Sequence, residues 1–82
     1  MAETETVGLA PRQYAVAQLA ASGLRNKEIA AALGVSLHTV RNTMSVVFAR
    51  LGVENRVGLA NAFVLGRVAL LPARRRPAQD GA

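Results

Sequence analysis

Apolar residues recur along the chain at intervals of three and four, and most of these runs close on a glycine. Val16, Leu19 and Ala20 mark the first run, with Pro11 suited by its fixed φ to a first helical position and Gly23 placed as a left-handed stop. Ile29, Ala30 and Leu33 line one face of a second, short segment of about two turns, ended by Gly34. Val40, Met44, Val47 and Leu51 define a third helix that stops at Gly52, and Ser36 stands where its hydroxyl would accept from the backbone of Thr39 as an N-cap. A fourth helix is predicted to begin at the cap residue Asn55 and to continue through "RVGLANAFVLGRVALL" to Pro72. No stretch alternates with the two-residue period of a strand, so the expected fold is all-α with four helices.

The two ends differ from this periodic middle. "MAETETV", residues 1–7, reads as a loose lead-in, and the basic "PARRRPAQDGA", residues 72–82, reads as a tail with little to bury, which leaves a single domain over residues 8–71. The absence of cysteine excludes disulfides and thiolate ligands, and a single histidine excludes a zinc site of familiar type, so no metal or cofactor is expected. The acidic, polar start lacks the basic and apolar stretches of a secretory signal, and the expected location is the cytoplasm. Residues 9–71 carry seven basic side chains against two acidic ones, which by itself gives the +5 charge of the whole chain. Such an excess on a small domain favours an anionic partner, nucleic acid or an acidic membrane face.

Two short helices joined by Leu33-Gly34-Val35-Ser36 form a helix-turn-helix unit, in which Gly34 takes the turn conformation and Val35 fills the angle between the helices. Over residues 9 to about 68 the chain resembles the LuxR-type helix-turn-helix domain of bacterial transcription regulators. The matching positions are Leu9, Arg12, Gly23, Asn26, Lys27, Glu28, Ile29, Ala30, Leu33, Thr39, Val40, Leu51, Val53 and Arg56, with Arg41 and Arg50 in place of lysine. The promoter-reading unit of sigma factors is similar through "LGVS" and "TV", but it ends with its recognition helix. Here "LGVENRVGLANAFV" adds a turn and a further helix, as the LuxR-type domain does.

The resemblance implies a four-helix DNA-binding domain whose third helix enters the major groove. It places Arg41, Asn42 and Ser45 at base edges, and the chemistry suits them, since Arg pairs two donors with guanine and Asn pairs donor and acceptor with adenine. Lys27, Thr39, Arg50, Thr43 and His38 are expected at phosphates. Certain positions depart from the family pattern. Ala10 and Arg25 occupy the starts of two helices where the family has a capping threonine or serine, a loss of about 0.5–2 kcal/mol for each cap unless a neighbour such as Asn26 substitutes. Thr43 replaces a common histidine, and Val46 and Ala49 stand where polar or basic residues are usual. His38 and Ser36 have no acid, base or second histidine patterned around them, and no enzyme is expected.

Helix 4 holds more apolar surface than one core uses. Leu59, Phe63 and Leu70 make one stripe, Ala60, Val64 and Val68 another, and Gly58, Ala62 and Gly66 form a row of small residues. The apolar run from Val57 to Leu71 contains Asn61 and Arg67 and is shorter than the roughly 20 residues a membrane span needs. Self-association is therefore expected through Ala62, Val64, Leu65 and Gly66, in line with the pairing of LuxR-type domains on DNA. The exposed face would alternatively receive RNA polymerase or a regulatory domain, since the chain contains no receiver or ligand-binding domain and reads as a stand-alone regulator or the end of a longer one. A second functional reading is a protein-interaction module of the same fold that uses helix 4 to bind a regulator or RNA polymerase with weak or no DNA contact, kept open by Thr43, Val46 and Ala49.

Overall fold

In a computed structural model of the chain, residues 6–72 are described. They form strand β1 (Val7–Leu9), helices α1 (Pro11–Ala21), α2 (Asn26–Leu33), α3 (Leu37–Leu51) and α4 (Arg56–Val64), and strand β2 (Val68–Leu70). Glu3, Glu5 and the Arg74–Arg76 run of the basic tail lie outside the described residues.

The four predicted helices are present, and the domain is mostly helical. Two segments differ from expectation. Helix 4 does not reach Pro72: Leu65 caps it, Gly66 takes φ +72°, and the Arg67 N–H returns to the Ala62 carbonyl at 2.9 Å. This is the same six-to-one closure that the N–H groups of Leu24, Val35 and Val53 make on Leu19, Ala30 and Phe48 at the ends of the other helices. A side chain at Gly66 would strain that left-handed turn, so the residue ends a helix and contributes nothing to a packing row within one.

Beyond Gly66 the chain becomes strand β2, which pairs in parallel with β1 through Val7 and Val68, Gly8 and Ala69, and Leu9 and Leu70. The two outermost described segments are thereby fastened together, with all four helices serving as the crossover between them. Each strand has three residues, too few for an alternating pattern to show.

The core lies between α1, α3 and α4, with α2 against α3. Leu9, Val16, Ile29, Val40, Val47, Leu51 and Leu59 are its large, fully enclosed side chains. Tyr14 of α1 meets Phe63 of α4 edge to face, with centroids 5.7 Å apart. Among the described residues every buried side-chain nitrogen or oxygen has a hydrogen-bond partner.

Three arginines secure the frame. Arg56, half-buried at the start of α4, donates through Nη1 to the Leu24 carbonyl at 2.6 Å and through Nη2 to Asn26 Oδ1 at 2.5 Å, tying α4 to the turn between α1 and α2. Arg67 Nη2 donates to the carbonyl of Leu51, the last residue of α3, at 3.1 Å, and Arg50 Nη2 donates to the Gly8 carbonyl in β1 at 2.7 Å. The far end of α3 is held from two sides by charged donors, whose bonds to carbonyls contribute about 1.5–3 kcal/mol each when shielded and less where solvent reaches them.

Candidate nucleic-acid interface

The recognition unit is built from α2, a tight turn and α3. Gly34 ends α2 with φ +69°, a backbone conformation that side chains rarely adopt. Ser36 then caps α3: its Oγ accepts from the Thr39 N–H at 3.0 Å and donates to Thr39 Oγ1 at 3.0 Å. One hydroxyl both satisfies an orphan amide of the first turn and holds the Thr39 side chain.

Helix α3 divides sharply between its faces. Val40, Met44, Val47 and Leu51 are buried, and Val40 is 0% exposed. On the other side His38, Arg41, Asn42, Ser45, Val46, Ala49 and Arg50 are exposed, while Thr39 and Thr43 lie half-buried at the margin. Arg41 and Ser45, Asn42 and Ser45, and His38 and Asn42 are three or four residues apart, so they form one contiguous outer patch. His38 Nε2 and Asn42 Nδ2 are 3.1 Å apart and form a hydrogen bond within that patch.

The remaining basic residues divide into two sets. Arg56, Arg67 and Arg50 are engaged with backbone carbonyls, which sequence reading missed for all three because their partners are 16 to 42 residues away. For Arg50 the phosphate expectation meets a competing partner: one terminal nitrogen is committed to Gly8, and the other donors remain at the exposed end of α3. Arg12, Arg25, Lys27 and Arg41 are exposed. Lys27, in the first turn of α2, and Arg41 border one open groove of about 580 Å³ whose walls also include Leu24, Leu37 and Val57. Arg41 and Ser45 border a second open depression that reaches Glu54 and Asn55. The fold thus brings Lys27 next to the patch on α3 and leaves Arg50 at the far end of that helix.

Helix starts show what the missing caps mean. Ala10 has no acceptor, so only the returning half of a capping box forms at α1, with Gln13 Oε1 accepting from the Ala10 N–H at 2.9 Å. At α2, Glu28 Oε1 accepts from the Arg25 N–H at 2.7 Å, and again no side chain caps the first-turn amides. Asn26 does not substitute as the cap. It is the first residue of α2, and its Oδ1 receives Arg56.

The expected pairing surface on α4 needs correction. Ala62 is 1% exposed and belongs to the core, because its position falls on the same face of α4 as Leu59. Gly58 serves packing within the domain, since a Cβ there would stand 3.0 Å from the Val53 Cβ. Gly66 lies beyond the helix end. No row of small residues is therefore offered to a partner. What the helix does present to solvent is Val57, Asn61, Val64 and Leu65, with Val64 82% exposed.

No helix among the described residues is long and apolar enough to cross a membrane, and among those residues no cluster of three or more histidine, cysteine or carboxylate side chains forms. The profile of the family described as bacterial regulatory proteins, luxR family, matches residues 7–63. The chain is also 44% identical over 54 residues to a two-component response regulator, PprB, of Pseudomonas aeruginosa. That alignment covers 66% of this chain and 20% of the regulator, so the chain spans about one fifth of that relative's length.

Proposed function

This chain belongs to the luxR family of bacterial regulatory proteins, and from that premise we propose that it binds promoter double-stranded DNA with α3 in the major groove. The observation that carries the reading is the outer face of α3. Arg41, Asn42 and Ser45 stand exposed on a helix whose opposite side is fixed by four buried residues, so donors and acceptors are presented on a rigid support.

In this reading Arg41 takes a guanine edge, Asn42 an adenine edge, and Ser45 a neighbouring base. Lys27 and Thr43 meet phosphates, joined by the donors of Arg50 other than the one bonded to Gly8 and by Thr39, whose Oγ1 accepts from Ser36 and keeps its own proton to donate. His38 lies at the edge of the same patch, with its ring already bonded to Asn42. Two copies pair through Val57 and Val64 of α4 and its cap Leu65, exposed apolar residues around Asn61 that burial of Ala62 does not remove. RNA polymerase or a regulatory domain in a longer protein would compete for, or extend, that same surface. The relative is a two-component response regulator, which supports an output role in signalling for this chain, and the bacterial cytoplasm is the setting that suits a DNA-binding regulator.

Fluorescence-anisotropy titration with random duplex and then with duplexes enriched by selection tests the reading. Affinity should fall with salt at a log-log slope near −0.9 for each phosphate contact, and selection should converge on a preferred sequence. A salt-independent complex, or no complex at all, would transfer the function to a protein partner, a regulator or RNA polymerase, received by the exposed apolar residues of α4.

A further inference from the structure

The contact between His38 and Asn42 joins the first turn of α3 to a residue assigned above to base reading. An asparagine amide presents a carbonyl oxygen on one side and an NH2 group on the other, and only one of its two orientations matches adenine, whose N6 amino group donates while N7 accepts. In solvent an exposed amide rotates freely between them. Here Asn42 Nδ2 is the atom that faces His38 Nε2, at 3.1 Å. An N–H donor facing a ring nitrogen requires a lone pair on that nitrogen, so this bond forms in the tautomer that carries the imidazole proton on Nδ1. One hydrogen of the NH2 group is then held by the ring, while the second hydrogen and both lone pairs of Oδ1 remain available. That is the donor and acceptor pair which a bidentate contact to adenine uses.

We propose that His38 is a positioning residue: it holds the Asn42 amide with Oδ1 outward and thereby sets which base Asn42 reads. This inference rests on the assignment of Asn42 to a base edge and adds to it a residue that touches no base. His38 is exposed and separated from Asn42 by one helical turn, the spacing at which side chains meet on a helix surface. The orienting bond leaves the energy of phosphate contacts unchanged, so its effect falls on discrimination between sequences rather than on binding as such.

The test compares a selected duplex with the same duplex changed at the base pair that Asn42→Ala identifies, and with random duplex, all at one salt concentration. His38→Ala and His38→Phe should each reduce the preference for the selected pair about two- to tenfold, the range expected for loss of one net hydrogen bond, while random-duplex affinity and melting temperature stay unchanged. The phenylalanine keeps a ring without the acceptor, so retention of preference in His38→Phe would overturn the proposal. In an Asn42→Ala background, His38→Ala should have no further effect on preference, since the two act as one unit. Equal losses on selected and random duplex would make His38 a phosphate contact instead. In the free protein, nitrogen chemical shifts of the imidazole at alkaline pH should place its proton on Nδ1, and a proton on Nε2 would overturn the assigned orientation without reference to DNA. Should Asn42→Ala leave every preference intact, the base-reading role fails and takes this inference with it, whereas a loss in Asn42→Ala without one in His38→Ala overturns this inference alone.

Discussion

Helices α3 and α4 both bury one apolar face against the same core, yet they offer opposite chemistry to solvent. α3 presents mainly polar side chains, Arg41, Asn42 and Ser45 with Val46 and Ala49 beside them, over a buried row of Val40, Met44, Val47 and Leu51, and α4 presents mainly apolar ones, Val57, Val64 and Leu65 with Asn61 among them, over Leu59 and Ala62. An outer face of fixed donors and acceptors suits a polar, charged surface, where hydrogen bonds choose the partner. An outer face of valine and leucine suits a dry contact, where removal of apolar area from water drives association. The two helices share a core and turn different side chains to solvent.

The largest expected effect separates the inner and outer faces of α4. Ala62→Glu would place an unpaired carboxylate in the core and should cost more than about 4 kcal/mol, enough to unfold a domain of this size, with loss of helical circular dichroism. Val64→Glu, two residues on but solvent-exposed, should change stability by no more than about 0.5 kcal/mol while abolishing dimerisation in sedimentation on a duplex with two half-sites. A folded Ala62→Glu protein would contradict the core position of α4. A Val64→Glu protein that still pairs would move the interface elsewhere.

The corresponding contrast on α3 is smaller and differs in kind. Val40→Ala should lower unfolding free energy by about 1–3 kcal/mol, with binding reduced only as far as unfolding requires. Arg41→Ala should leave the melting temperature nearly constant and cost about 1–3 kcal/mol on the selected duplex. If Arg41→Ala melted early and Val40→Ala did not, the two faces of α3 would be reversed.

Helix starts sharpen the comparison at the lowest energies. α3 and α4 have working caps, with Ser36 accepting from Thr39 and Asn55 accepting from the Gly58 N–H at 2.9 Å, whereas α1 and α2 make only the returning bonds of Gln13 and Glu28. Ala10→Thr should raise stability by about 0.5–2 kcal/mol, visible as a higher melting temperature. Arg25→Ser should give a gain in the same range, because Asn26 is committed to Arg56 and does not already serve as the cap. A substitution at Ser36 or Asn55 that left melting unchanged would remove the basis of both expectations.

What the chain determined by itself was local. Helical spacing of apolar residues, the Ser36 and Asn55 caps and the stops at Gly23, Gly34 and Gly52 specify four helices and the outward position of Arg41, Asn42 and Ser45, because each depends on neighbours within a turn or two. The signal that ends α4 was also present, in Gly66, but an apolar run continuing past it masks the stop when periodicity alone is followed. The bond between His38 and Asn42 was legible in principle as a pair four residues apart on one helix face.

Tertiary structure decided the rest. Val7–Leu9 and Val68–Leu70 become strands only because they meet each other across some sixty residues of intervening chain, and neither has enough length to announce itself. The arginines look alike in sequence, yet Arg56, Arg67 and Arg50 turn to backbone carbonyls while Arg41 meets none among the described residues, since which carbonyls lie within reach depends on how the helices pack. Ala62 is small enough to suit either a core or an interface, and only the placement of α4 against α1 assigned it to the core. Periodicity fixes which residues share a face of a helix, and packing fixes what that face meets.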